Sequence, residues 1–374
     1  MPNTIRDIRT IDTTPFPYIF EQNVSVPLKL KNGLIWCNVY RPKAEADARF
    51  PVIVTYGPYG KDIHYEAFHP KSYAEVNPEH HSAHSAWETP DPAFWTKHGY
   101  AVVRADELDL GQLPGVLDTM SRSTSEAFFD LVKWAAEQSW SSGKLLCWQP
   151  VACSCSTAPG PGSHHSLGGH VRLLPRSLQH GGILSNGFIK FWWDRQVITN
   201  QYGRPDREAR NWGPNTIEGN LSEEELAANR QDQPRDNAAY KFRDEPYYAS
   251  KEHHMGDIQV PLLSVANWGG ICLHVRGNVE GWTWAGSERK FLRFITGRHD
   301  LPFYYHEEVE VQRSLLDAFL KGEDRDGWST GQLNIILPSS CWWLCWAFWG
   351  LLFLVLSAIK GMLERGNERY NINP

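Results

Sequence analysis

Two side chains in this sequence stand where proton transfer and charge stabilisation could be done. His299, in Gly297-Arg298-His299-Asp300, follows an apolar run. An imidazole on a loop at the end of a buried strand can reach over the sheet and shuttle a proton near neutral pH. Tyr59, in Gly57-Pro58-Tyr59-Gly60, follows another such run. A phenol fixed in that turn can donate its O–H to a developing oxyanion, which lowers a barrier by about 3 kcal/mol. The plainer alternatives are a solvated loop histidine and a turn aromatic packed on a neighbour. Other reactive-looking groups read as structural. His80, His81 and His84 contain an i, i+4 pair but lack the His-Glu-x-x-His order and lie in a loop. Cys147, Cys153 and Cys155 have no second Cys or His pair at zinc spacing. Ser185, in Ile183-Leu184-Ser185-Asn186-Gly187, has only half the glycines of a strained serine turn. No metal or cofactor is implied.

The elements that must position these residues follow from hydrophobic period. VSVPLKLKNGLIWCNVYRP (24–42) gives two alternating runs joined at Lys31-Asn32-Gly33, a β-hairpin with the positive φ of Asn-Gly at its turn. FPVIVTY (50–56) and GYAVVRA (99–105) are short continuous apolar runs, as strands buried on both faces require. STSEAFFDLVKWAAEQ (123–138) has a helical stripe of Phe128, Leu131, Val132 and Ala135, with Thr124 or Ser125 as its cap. Residues 181–257 lack a buried strand and hold a helix at 221–231 capped by Ser222, so they read as a helical cap insertion. The strand pattern resumes at 260–268 and 290–296, and an amphipathic helix over 307–320 stops at Lys321-Gly322. Strand, loop, strand and helix in this order predict an α/β fold with a mostly parallel sheet.

Composition narrows the partners. With 374 residues, 41% hydrophobic, the chain is long enough for one large α/β domain with an inserted cap. Its formal charge of −6 argues against nucleic acid or an anionic lipid surface, either of which favours a basic face. The N-terminal MPNTIRDIRT lacks the apolar core of a secretion signal, and seven cysteines, with Cys37 and Cys272 standing alone, suit reduced thiols in the cytoplasm.

Tyr40-Arg41-Pro42, then Tyr56-Gly57-Pro58-Tyr59-Gly60-Lys61, Asp106, Trp140-Ser141-Ser142-Gly143-Lys144, Ala266-Asn267-Trp268-Gly269-Gly270 and Thr296-Gly297-Arg298-His299 follow one another in a telling order. In that order the sequence resembles the CocE/NonD α/β-hydrolases, the group of cocaine esterase and X-Pro dipeptidyl-peptidase, over roughly residues 22–144 and 181–328. The resemblance implies an α/β-hydrolase core over 22–180 and 258–328 with the cap at 181–257. It further implies acyl transfer from a small ester or peptide substrate by a serine on a strand-to-helix elbow. His299 matches the family's base and Tyr59 its oxyanion-hole phenol. Two departures stand out. Where the family carries a carboxylate after the strand matching 262–268, this chain has Gly269 and Gly270, which leaves Glu280 or Asp106 as the nearest acids. Where the family shows Asp-x-Arg-Gly-x-Gly, the Arg-Gly pair is Leu108-Asp109.

The larger departure is at the nucleophile. After Lys144 a strand and Gly-x-Ser-x-Gly are expected, and no such motif occurs over 145–193; the nearest serine, Ser154, is flanked by Cys153 and Cys155. From Gln138 to Trp193 there is no Asp or Glu, although the chain has 43. A low-complexity loop has this composition. So does a segment translated in a shifted frame or from a misplaced splice, over about 145–179, and the abrupt borders favour that account. Residues 329–374 are a second atypical stretch. Within them 341–359 is uncharged and starts with tryptophans, long enough to span a bilayer as a C-terminal anchor. The alternative for this tail is again a misread exon, since family members continue into a jelly-roll domain. Two functions are therefore expected: a serine-type acyl hydrolase, esterase or X-Pro dipeptidyl-peptidase-like and impaired in this chain, or a catalytically inactive relative that lacks the nucleophile.

Overall fold

The apolar runs form the centre of a six-stranded sheet. The computed structural model describes residues 9–29, 33–111, 115–148, 179–180, 183–184, 186–201, 206–213, 215, 222–228, 230–242, 244–270 and 274–331. Strands β1 (Thr10–Asp12), β2 (Tyr18–Pro27), β3 (Leu34–Pro42), β4 (Phe50–Gly57), β5 (Ala101–Asp106) and β6 (Ser141–Trp148) lie in the order β1-β2-β3-β5-β4-β6. The first three are antiparallel neighbours, and β3 runs antiparallel to β5. β4 pairs in parallel with both β5 and β6. Every residue of β5 is buried, and β4 is buried between its ends, which is why neither strand shows an alternating sequence. The predicted hairpin is β2 and β3; its turn residues 30–32 lie outside the described residues. Leu145 to Trp148, where the atypical composition begins, complete β6 and are buried in it.

Between β4 and β5 the loop holds three short helices, α1 (Tyr65–Phe68), α2 (Pro70–Tyr73) and α3 (Pro92–Lys97). After β5 comes α4 (Arg122–Ala136). Phe128, Leu131, Val132 and Ala135 of α4 pack on Val54, Val103 and Leu145 of the sheet, as the apolar stripe predicts. Its cap is Ser121 rather than Thr124 or Ser125: the Ser121 hydroxyl accepts from the Thr124 amide at 3.3 Å. Thr124 is buried and donates its own hydroxyl to the Asp118 carbonyl, so it is committed one turn inside the helix.

The next described residues form a two-residue pair, β7 (Gln179–His180) and β8 (Ile183–Leu184), then α5 (Asn186–Trp192), α6 (Glu223–Ala228), α7 (Gln233–Ala239) and α8 (Pro246–Ala249). α6 opens with a capping box, Ser222 Oγ accepting from the Glu225 amide and Glu225 accepting from the Ser222 amide. β9 (Leu262–Asn267), α9 (Arg276–Trp284) and β10 (Lys290–Ile295) make a parallel strand-helix-strand unit, followed by α10 (His306–Leu316). Among the described residues β9 and β10 pair only with each other, so they stand as a separate two-stranded sheet. β9 is buried throughout, whereas β10 is mostly half-exposed, in contrast to the buried strand its apolar run predicts.

The chain divides into two compact units, Met1–Arg325 and Asp326–Pro374, and every element above belongs to the first. Of the second, the described residues form turns. The apolar run 341–359 lies outside the described residues, as do Ser154, Ser185, Cys153, Cys155 and Cys272. Among the described residues no helix is long and apolar enough to cross a membrane.

Candidate active site

The carboxyl ends of the parallel strands build a pocket. β4 leaves the sheet at Gly57, level with Asp106 at the end of β5, and turns through Gly60, whose φ of +85° suits glycine. The Lys61 amide donates to Asp106 Oδ1 at 2.6 Å, so the two strand ends are tied together by this carboxylate. Burial, against the opposing pull of Lys61, pushes the Asp106 carboxyl up to about 6. Asp106 is thus engaged with the turn and not with a histidine. β6 ends on Trp148, which pairs with Thr55 and walls a cavity of about 40 Å³ together with Tyr59, Ile63, Phe68, Trp87 and Glu88. Trp148, the last described residue of the strand that should lead into the nucleophile, therefore lines this cavity, and residues 149–178 lie outside the described residues.

Tyr59 enters from the turn after β4. Its hydroxyl accepts from Trp192 Nε1 of α5 at 3.1 Å, which leaves its own proton to donate. Its ring meets the Trp87 indole edge-on at 4.7 Å. Burial and the nearby Glu88 charge raise the phenol well above its ordinary pKa, so it stays a donor at neutral pH.

His299 enters from the loop after β10. That loop is locked at Gly297, with φ of +112°, by Asn267 at the end of β9, whose amide donates to the Arg298 carbonyl at 3.2 Å. Gly269 lies so close that a Cβ there would sit 1.7 Å from the Gly297 carbonyl oxygen. Asp300 anchors the other side, accepting from the Ser72 hydroxyl, from Trp87 Nε1 at 3.4 Å and from Arg298 Nη2 at 3.1 Å. Burial opposes ionisation of Asp300, but the hydrogen bonds from Arg298 and Ser72 hold it down to about 2. The His299 imidazole lies against the Trp87 edge at 6.0 Å and places Nε2 3.2 Å from Glu88 Oε1. Burial alone would lower its pKa; the Glu88 hydrogen bond and charge outweigh it and raise the imidazole above its ordinary value.

Both singled-out residues thus reach one indole, Trp87, from loops more than 200 residues apart in sequence. The carboxylate at His299 is neither of those expected. Glu280 is buried on α9 and accepts from Arg276 at 2.8 Å. Glu88 was not singled out because nothing in Trp87-Glu88-Thr89-Pro90 marks it; its φ of +55° becomes visible only in the fold. Asp109, at the second position of the altered Arg-Gly pair, has φ of +65°, so an aspartate occupies the left-handed conformation that glycine adopts without strain. Leu108 before it is buried in the main core.

The histidine cluster separates. His80 is buried against Phe94 at 4.3 Å, His81 stacks on Tyr73 at 4.2 Å, and His84 Nδ1 meets the Tyr18 hydroxyl at 2.6 Å. Burial holds His80 and His84 down to about 4. Among the described residues no group of three or more His, Cys, Asp or Glu could hold a metal ion.

Beside the site, Glu107 is buried and accepts from the Thr119 hydroxyl at 3.1 Å, and burial pushes its carboxyl up to about 7. A carboxyl whose folded pKa is raised disfavours the folded state once ionised: its penalty is absent below the unfolded value and grows as pH rises toward the folded value. Glu107→Gln is therefore expected to stabilise the protein at pH 8 by about 3 kcal/mol, with the gain vanishing near pH 4.5. Urea unfolding of both forms at the two pH values measures it.

A sheet with parallel strands at β4, β5 and β6, helices packed on it and a cavity at the carboxyl ends of those strands is that of an α/β-hydrolase fold. Residues 34–148 match the model of the X-Pro dipeptidyl-peptidase (S15) family. A CocE/NonD family hydrolase from Staphylococcus aureus is 26% identical and superposes with a TM-score of 0.67, covering 84% of this chain and 52% of its own. By these two comparisons the chain is similar to the CocE/NonD family hydrolases. An aminopeptidase from the marine sediment archaeon Thaumarchaeota archaeon, 15% identical, shares the fold with a TM-score of 0.50 over 86% of this chain and 58% of its own. This chain spans about half the length of those solved relatives. No curated protein shows significant similarity to it.

Proposed function

We propose that this chain is a serine-type acyl hydrolase acting on small esters or peptides, with His299 as general base and Tyr59 as oxyanion donor. Residues 181–257 serve as the cap over the pocket. The observation that carries the reading is the meeting of His299 and Tyr59 on the two contacts of Trp87, beside the cavity where β6 ends. A base and a neutral donor held near one another by a shared indole are what attack on an acyl carbon needs. A fluorophosphonate probe tests it: covalent labelling of the full chain supports the reading, and an unlabelled protein overturns it.

Tyr59→Phe removes only the donated proton. It is expected to lower kcat by roughly 10²-fold or more, with KM little changed, in hydrolysis of an activated ester. An unchanged kcat removes Tyr59 from the site.

A second reading has one observation in its favour, the absence of Gly-x-Ser-x-Gly over residues 149–193, where the strand β6 should lead into it. On that reading the chain is an inactive family member whose pocket binds a ligand without turnover. It predicts a blank probe lane with the fold intact.

A further inference from the structure

We propose that Glu88 is the positioning carboxylate of this site: it accepts a hydrogen bond from Nε2 of His299, fixes the ring and its tautomer, and leaves Nδ1 as the proton acceptor. This rests on the reading of His299 as the base. The first ground is geometry, with Nε2 and Oε1 3.2 Å apart and the Glu88 side chain only 12% exposed.

The second ground is that the other candidate carboxylates among the described residues are engaged elsewhere. Between Asn267 and Glu280 the sequence contains no Asp or Glu. The end of β9 also has no room for one at position 269, where a side chain would meet backbone of the Gly297 loop. The Asn267 amide is engaged on both sides, donating to the Arg298 carbonyl and accepting from the Gly269 amide at 2.6 Å. Asp106 holds the turn after β4, Glu280 holds Arg276, and Asp300 holds Ser72, Trp87 and Arg298. The end of β9 has become a clamp for the loop that carries His299, and the carboxylate comes from the loop between β4 and β5 instead.

The third ground is conformational. Glu88 has φ of +55°, an arrangement that costs a residue with a Cβ about 1 kcal/mol or more. Its neighbour Trp87 is fixed by Asp300, the residue after His299, so one pair of contacts joins the two loops and sets Glu88 against the imidazole. The charged and titratable groups that face His299 are Glu88, Asp300, Arg298 and His274, whose ring lies 5.5 Å away. Of these, Glu88 alone is an anion within ion-pair distance.

The experiment is imidazole ¹H–¹⁵N correlation spectroscopy on the full-length chain, with His299→Gln to assign the signal, in wild type, Glu88→Gln and Glu88→Asp. In wild type the neutral ring is expected to carry its proton on Nε2 and to titrate above an ordinary histidine. In Glu88→Gln the titration moves down and the tautomer preference is lost; in Glu88→Asp part of both returns. An unchanged titration and tautomer in Glu88→Gln overturns the proposal. A lower titration with the tautomer unchanged also overturns it, because the carboxylate then acts only through its charge. Fluorophosphonate labelling run on the same samples separates the two readings. A blank wild-type lane ends the hydrolase reading, while the imidazole signals still decide the role of Glu88.

Discussion

Replacing His299 with glutamine is expected to lower turnover of an activated ester on the order of 10⁶-fold, with a thermal midpoint close to that of wild type. The glutamine amide can still donate a hydrogen bond to Glu88, so the carboxylate is not left unpaired, yet no group remains that takes up a proton near neutral pH. The histidine side chain is 33% exposed, and little core packing leaves with it. A loss of rate without a loss of fold therefore isolates proton transfer. The pH dependence supplies a second check. The base works as neutral imidazole, so wild-type kcat should rise with pH through a value above that of an ordinary histidine, since Glu88 and Asp300 outweigh burial and raise it. Stability runs the other way. The His299–Glu88 pair contributes fully below the unfolded histidine pKa near 6.5, and the contribution is lost as pH rises through the folded value. Rate and stability moving in opposite directions across the same titration identify one group as responsible for both. A His299→Gln enzyme with wild-type turnover removes His299 from the chemistry.

The frame of the site was legible in the sequence because it depends on strands buried on both faces. β4 and β5 announce themselves as uninterrupted apolar runs, and the residues that follow such runs, Tyr59 and His299, fall at strand ends in the fold. Pairing was less legible. β10 carries an apolar run yet is mostly half-exposed, since a run cannot tell how much of each face is covered. The start of α4 was blurred by four residues able to cap, Ser121, Ser123, Thr124 and Ser125, and burial of Thr124 decided for Ser121. Leu145 to Trp148 look atypical by composition, yet four apolar residues suffice to complete a strand beside β4. Glu88 was illegible for a different reason. Its partner lies 211 positions later, and the left-handed backbone that aims it has no residue signature in a loop without glycine at that point. The same holds for Asp109, where the departure from a family Arg-Gly pair could be read but the strained conformation could not.

Gly269→Ala should cost about 3 kcal/mol of stability or more and, by moving His299, lower kcat by roughly 10²-fold. A Cβ at this position would stand 1.7 Å from the Gly297 carbonyl oxygen and 2.8 Å from its carbonyl carbon. Both atoms are backbone, so no flexible side chain can swing away. Either β9 or the loop after β10 must shift by more than an ångström, and each is held by the other through the Asn267 bonds to Arg298 and Gly269. A shift of the loop carries His299 away from Glu88 and Trp87 together, since Asp300 ties the next residue of that loop to Trp87. Gly187→Ala is the matched control. Nothing lies within 4 Å of a Cβ there, and on helix α5 alanine should hold or slightly raise stability, by about 0.5 kcal/mol. Urea unfolding of the two variants measures the first effect, and ester turnover at a temperature where both remain folded measures the second. Stability and rate unchanged in Gly269→Ala would mean that β9 and the histidine loop are not in contact. A loss of rate alone would mean that the loop yields and β9 does not, which is the outcome that links this glycine pair most directly to the placement of the base.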